Sequence, residues 1–299
     1  MPSRRHDLLA HAIPRVRRAR ELEDEHTERL RVEQWHATLD RSLPTRLVPA
    51  FARRFSVITE EVAGFPVHVV TPRHLDPDRT LFYVHGGGFM APIDPFQVRY
   101  VTRLATALSA RVVLPDYPLA PEHTWRDSFD PLADLAARWV GDSRVTLAGD
   151  SAGGGYALAL AIALRDRGGP TPNEMLLLSP WVDLTTSTPA TESYDAVDPW
   201  LFLGKLRAYA GWWAGSPDDL ERPEVSPALA DLSDLPRTLM FCGSRDLLVP
   251  GCRLLADRAA ATDWDLTYLE RPDLLHVFPM LPFIPEARTA HRITLEFLR

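Results

Sequence analysis

Ser151 stands in Gly149-Asp150-Ser151-Ala152-Gly153, the pattern Gly-x-Ser-x-Gly. The apolar run Val145-Thr146-Leu147-Ala148 precedes it, and a run of small residues from Gly154 follows. Strand, sharp turn and helix in that order would lift a serine hydroxyl off the end of a sheet. The flanking glycines permit the tight turn. The helix N-terminus would offer backbone N–H groups to a developing negative charge. A serine hydroxyl is a weak nucleophile at neutral pH, so it needs a base, and the base needs an orienting acid. Downstream, Asp246 follows an expected strand at 238–242 through Gly243-Ser244-Arg245. His276 follows an expected strand at 265–269 through a loop containing Pro272. Both would lie on the edge that carries Ser151, and the chain order Ser, Asp, His suits such a sheet. Two competitors are set aside. His291 falls in the middle of an expected C-terminal helix and reads as a solvated histidine, and Asp273 is too near His276 in sequence to reach it from a separate strand.

The chemistry also needs donors for an oxyanion. His85-Gly86-Gly87-Gly88 follows the strand-like run Leu81-Phe82-Tyr83-Val84, and its glycines would let backbone N–H groups approach a carbonyl oxygen closely. The N–H of Ala152 would be a further donor. The same glycines also fit a dinucleotide fingerprint, G-x-G-x-x-A, through Gly86, Gly88 and Ala91, with Asp116 ending the next strand. An NAD(P)-binding oxidoreductase is therefore an alternative. Against it, Pro92 and Pro95 delay the helix that a pyrophosphate requires, and Ser151, Asp246 and His276 would be left as coincidences. No H-E-x-x-H occurs and the ten histidines are scattered, so no metal site is expected. Lys205 is the only lysine, and its setting suits neither a Schiff base nor a phosphate loop.

The elements that must position these residues can be read from periodicity. Strands are expected at 56–62, 66–71, 80–85, 111–117, 145–149, 175–179, 238–242 and 265–269. Helices are expected at 95–108, 130–140, 152–167, 251–261 and 285–298. Strands alternating with helices predict an α/β fold, a mostly parallel eight-stranded sheet with helices on both faces. The first strands lack an intervening helix, so that edge should be antiparallel. Residues 1–50 read as charged helices, including the run Arg15-Val16-Arg17-Arg18-Ala19-Arg20. Residues 185–225 interrupt the alternation and read as a helical insertion over the sheet's carboxyl edge. The core then divides into 51–184 and 226–299.

With 299 residues and 45% apolar content the chain can bury a large core, and the net charge of −7 argues against nucleic acid as a partner. Two cysteines argue against a secreted disulfide framework, and Cys242, in a strand-like run, reads as a buried thiol. The first residues lack the apolar stretch of a signal peptide and no run is long enough to span a membrane, so stable membrane insertion is not expected and a cytoplasmic location is.

Together, His85-Gly86-Gly87-Gly88, Gly149-Asp150-Ser151-Ala152-Gly153-Gly154 and Asp116-Tyr117-Pro118-Leu119-Ala120-Pro121-Glu122 resemble the hormone-sensitive-lipase-like (bacterial family IV) esterases of the α/β-hydrolase superfamily. Ser179-Pro180-Trp181-Val182-Asp183-Leu184 and Val225-Ser226-Pro227 are similar to segments of bacterial members, and the resemblance spans roughly 65–298. It implies an α/β-hydrolase fold, a carboxylic-ester hydrolase with no cofactor, and a small-molecule ester as substrate. It assigns Ser151 as nucleophile, His276 as base, Asp246 as orienting acid, and the N–H groups of Gly87, Gly88 and Ala152 as oxyanion donors. It also implies a helical cap made from 1–50 and 185–225, and it admits a homodimer. The chain departs from the family where Leu247-Leu248-Val249-Pro250 follows the triad acid, a place where Pro-Leu and a second acidic residue are common.

Phe89, Tyr117, Tyr156, Trp200, Phe202, Trp212 and Trp213 are candidates to line an acyl or alcohol pocket, with core and cap packing as the alternative. Bulky aromatics around a modest cap would favour short- to medium-chain acyl groups. Two other functions stay open at this point: a non-catalytic small-ligand-binding protein on the same scaffold, and a hydrolase of amides, carbamates or lactones using the same three residues.

Overall fold

The eight expected strands form one sheet in a computed structural model that describes residues 2–16 and 22–299. The arginines at 17, 18 and 20 lie outside the described residues. The strands are β1 (Phe55–Val62), β2 (Phe65–Pro72), β3 (Arg79–Val84), β4 (Ala110–Pro115), β5 (Arg144–Asp150), β6 (Glu174–Leu178), β7 (Thr238–Gly243) and β8 (Leu266–Arg271). Their order in the sheet is β1-β2-β4-β3-β5-β6-β7-β8. Strand β2 runs antiparallel to β1 and β4, and every other pairing is parallel. The antiparallel edge is therefore the helix-free start of the chain. His85 and Tyr117, expected to end strands, lie just beyond β3 and β4.

The parallel centre is buried on both faces. Every residue of β6 and β7 is buried, so neither strand shows the alternation of a half-solvated strand. The helices are α1 (Arg4–Val16), α2 (Glu25–His36), α3 (Phe51–Arg54), α4 (Pro95–Leu108), α5 (Phe129–Asp142), α6 (Ser151–Asp166), α7 (Thr191–Asp195), α8 (Leu203–Ala214), α9 (Val249–Ala259) and α10 (Pro285–Leu298). One apolar core packs α5, α6, α8 and α9 on one face, and a second packs α4 and α10 on the other. Val145 and Leu147 of β5 belong to the first core and Ala148 to the second, which is the strand's period of two.

Helix α4 starts where Asp94-Pro95 predicts. Asp94 accepts from the N–H groups of Phe96 (2.7 Å) and Gln97 (3.0 Å), and the Gln97 side chain accepts from the Asp94 N–H (2.8 Å), a capping box. The chain before β1 and the segment between β6 and β7 meet through α2 and α8. Tyr209 donates its hydroxyl hydrogen bond to Glu28, the Trp212 indole N–H donates to Glu25 (2.9 Å), and Lys205 Nζ lies 3.4 Å from Glu28. Just before α1, the Ser3 hydroxyl donates to Glu286 in the first turn of α10 (3.0 Å). Among the described residues no helix is long and apolar enough to cross a membrane.

Candidate active site

Strand β5 ends at Asp150 and helix α6 begins at Ser151, with no linker between them. Ser151 has φ of 52°, in the left-handed region that a residue with a Cβ rarely adopts. Such strain persists only where the surroundings hold it. Here the Trp181 N–H donates to the Ser151 carbonyl (2.8 Å), and α6 lies so close to β3 that a Cβ on Gly153 would fall on the carbonyl oxygens of Val84 and His85.

Asp150, inside the motif, has its own task. Its buried carboxylate accepts from the Tyr83 hydroxyl (2.7 Å), the Gly86 N–H (2.9 Å) and the Gln97 amide (3.1 Å). Burial pushes its pKa up, against these three donors. One carboxylate thus binds the serine turn to the glycine loop and to α4. In that loop the His85 ring stacks on Tyr117 with centroids 4.3 Å apart, and the Tyr117 hydroxyl donates to the His85 carbonyl (2.8 Å). Gly87 has φ of 123°, a conformation closed to side-chain-bearing residues. The chain turns at these glycines, and the next helix, α4, waits until Pro95. Pyrophosphate binding would need a helix at the glycines themselves.

On the far side of Ser151, the loops after β7 and β8 are sewn together. The Arg245 N–H donates to the Leu274 carbonyl (3.0 Å), and the Asp273 N–H donates to the Ser244 hydroxyl oxygen (2.8 Å). The Ser179 hydroxyl oxygen, at the end of β6, accepts from the Val277 N–H (3.0 Å), and His6 of α1 accepts from the Leu275 N–H (3.2 Å). His276 is therefore braced on both sides. Its Nδ1–H donates to Asp246 Oδ2 at 2.9 Å, and Ser151 Oγ lies 3.0 Å from its Nε2. Asp246 is fully buried and also accepts from the Leu248 N–H (2.9 Å) and the Cys242 thiol (3.5 Å). Burial disfavours a charged His276, but the charge and hydrogen bond of Asp246 outweigh it and raise the imidazole pKa above its ordinary 6.5. The arrangement can take a proton from a hydroxyl and stabilise the resulting imidazolium.

The alpha/beta hydrolase fold family matches residues 81–280. An acetyl-hydrolase of Streptomyces hygroscopicus is 33% identical over 226 residues, 74% of this chain and 75% of that protein. The carboxylesterase NlhH of Mycobacterium tuberculosis is 31% identical over 244 residues, 73% of this chain and 74% of that protein. The crystal structure of an esterase from the bacterial hormone-sensitive lipase family superposes with a TM-score of 0.80 at 28% identity, covering 100% of this chain and 98% of that one. The chain belongs to the hormone-sensitive-lipase-like esterases of the α/β-hydrolase family. It is a carboxylesterase by class.

In this esterase the aromatic candidates separate. Phe89, Tyr117, Tyr156 and Trp213 are buried and pack mainly on one another: Phe89 stacks on Trp213 at 4.4 Å, and Tyr156 meets Trp213 at 5.5 Å and Tyr117 at 5.3 Å. The Tyr156 hydroxyl is bonded to Ser128 (2.8 Å). Trp212 turns to Glu25, and Phe202 is the N-cap residue of α8. Trp200 differs, its ring standing edge-on to His276 with centroids 5.6 Å apart. Tyr209, which residue type alone did not single out, faces the loop: a Cβ on Gly88 would lie 3.2 Å from its ring. His291 is a correction, since it is buried in α10 instead of solvated, and burial beside Arg103 pushes its pKa down to about 4. Both cysteines are free and buried. Gln97 had a legible signal, the capping box from Asp94, but nothing in the sequence pointed that box at Asp150.

Proposed function

We propose that this esterase hydrolyses short- to medium-chain acyl esters through Ser151, His276 and Asp246 by way of an acyl-enzyme. The observation that carries the reading is the unbroken hydrogen-bond chain Asp246–His276–Ser151, at 2.9 and 3.0 Å. His276 Nε2 takes the Ser151 proton as Oγ attacks the ester carbonyl, and Asp246 stabilises the imidazolium so formed. The oxyanion forms against the N–H groups of Gly87, Gly88 and Ala152. The alcohol then leaves with the proton from His276. Water, deprotonated by the same imidazole, attacks the acyl-enzyme and releases the acid and the free serine.

Residues 1–50 and 185–225 act as a cap over this edge. The contacts between α2 and α8, and Tyr209 beside Gly88, support that reading. Trp200 against the imidazole and Tyr209 at the glycine loop narrow the approach, which favours small acyl groups. Ser151→Ala tests the mechanism. Turnover of p-nitrophenyl butyrate should fall about 10⁶-fold, the scale of nucleophile removal in a serine hydrolase. Near-wild-type turnover would sink the reading. A p-nitrophenyl series from acetate to palmitate tests chain length, and highest kcat/KM on palmitate would overturn the short-chain preference.

A further inference from the structure

Asp198 lies in the segment between β6 and β7, far in sequence from the three reacting residues, yet its carboxylate reaches the loop of the triad acid. It is 5% exposed. One oxygen accepts from the N–H groups of Trp200 (2.7 Å) and Leu201 (3.1 Å), and the other accepts from the N–H of Leu247 (2.7 Å). Leu247 is the residue after Asp246, and Trp200 is the ring that stands against His276. Among the described residues no arginine or lysine is paired with Asp198. A buried carboxylate held only by backbone N–H groups is retained at an electrostatic penalty that packing alone does not require.

We infer that Asp198 is a positioning residue for the Asp246–His276 pair, fixing the Asp246 loop through Leu247, seating Trp200 against the imidazole, and setting a second negative charge behind the base. This rests on the triad reading above.

The groups that face His276 are Asp246 from the β7 loop, Asp198 from the insertion, Asp150 and Ser151 from the serine turn, and His6 of α1 through the Leu275 N–H. Cys242 of β7 faces Asp246. Burial, and then the charge of Asp246, push the Asp198 pKa up to about 6 against the opposing pull of His276. Asp198 is thus ionised at neutral pH, where it favours the imidazolium, and becomes neutral in mild acid.

The test is Asp198→Asn, which keeps size and loses charge. With p-nitrophenyl butyrate, kcat should fall about 10- to 100-fold, with KM changing far less, as expected when a base is slightly misplaced. Removing the charge should also lower the His276 pKa, so the acidic limb of kcat/KM should move to lower pH by at least about half a unit. A folded variant, judged by its thermal transition, whose limb stays in place would overturn the inference. A second arm needs no variant. In the wild type, kcat/KM should fall by more than the about tenfold per pH unit of a single ionisation once the pH drops below that of Asp198, and a single-proton slope throughout would overturn it. Ser151→Ala, measured alongside, separates the two readings. If it is inactive while the Asp198→Asn limb is unshifted, only the role of Asp198 falls. If it is active, the triad falls with it.

Discussion

The turn at Ser151 and the α2–α8 pair are both close to the glycine loop, but they are held by different physics. The turn is fixed by backbone against backbone: β5 runs straight into α6, and α6 presses on the carbonyls that end β3. The α2–α8 pair is fixed by side chains, chiefly one carboxylate, Glu28, which meets Tyr209, Lys205 and Arg31. Backbone contact leaves no room for adjustment, whereas side-chain contact can be re-formed. The esterase therefore has a rigid edge for bond-making beside a more adjustable helical pair.

The largest expected contrast comes from one substitution at the rigid edge. In Gly153→Ala the new methyl group would fall on the carbonyls of Val84 and His85, backbone at the end of β3 and just beyond it that cannot move aside. A steric clash of this kind belongs with the rare substitutions that destabilise by more than about 4 kcal/mol. Chemical denaturation should show that loss, or no folded protein at all. A stable, active Gly153→Ala would mean that the turn is far less tightly packed than its contacts imply.

The two regions should also part company with pH. On the proposed mechanism His276 must be neutral to act as base, and its pKa is raised, so kcat/KM should fall, about tenfold per pH unit at first and more steeply once Asp198 protonates, as the pH drops through a midpoint above 6.5. Glu28 behaves in the opposite sense. Burial works against its ionisation, but hydrogen bonds from Arg31 and Tyr209 and the charge of Lys205 prevail and hold its pKa down to about 2 from an ordinary 4.5. A depressed carboxylate contributes stability that is fully present above its unfolded pKa and is lost as pH falls towards the folded value. At pH 5 the protein should thus be folded, inactive on ester and recoverable on return to pH 8. Stability and activity falling together between pH 7 and 5 would deny the contrast.

Glu28→Gln probes the α2–α8 pair directly. It removes the charge that Lys205 and Arg31 face and leaves only one acceptor oxygen for Tyr209. Charge-assisted hydrogen bonds in partly buried places are worth about 1.5–3 kcal/mol, and a loss near 2 kcal/mol is expected by denaturant titration. Since Tyr209 borders Gly88, KM for p-nitrophenyl butyrate should rise as the α8 face loosens. Unchanged KM alongside lost stability would show that α8 supports the fold without shaping access.

The same division explains what could be read from the residues alone. All eight strands and the helices α4, α5, α6, α9 and α10 are visible in periodicity, because each is a local pattern set against a buried sheet. Ser151, Asp246 and His276 are visible because a strand-end position follows from chain order, and the structure brings the three into one hydrogen-bonded chain. Asp198 and Glu28 were not visible. Each gains its meaning from partners roughly 50 to 180 residues away, and nothing in Asp198-Pro199 or in a charged helix distinguishes a buried acceptor from a solvated one. His291 misled for the same reason: a polar residue within a helix reads as solvated until the packing around α10 is known. The aromatics could not be sorted by type, since Trp200 and Trp213 differ only in whether the ring meets His276 or other rings.

The smallest effect should have the reverse sign of the first. Gly211 sits inside α8, and a Cβ there would meet nothing within 4 Å. Glycine in a helix interior is less favourable than alanine by about 0.8–1 kcal/mol, because it surrenders more backbone freedom on folding. Gly211→Ala should therefore stabilise the protein by somewhat less than 1 kcal/mol, raise the thermal midpoint by about 2 °C for a chain of this size, and leave kcat unchanged. The same glycine-to-alanine change thus destabilises α6 and stabilises α8, because one helix is pressed against a sheet and the other is not. If Gly211→Ala lowered kcat instead, α8 would have to move during turnover, and the adjustable side of the comparison would be a working part of the cycle.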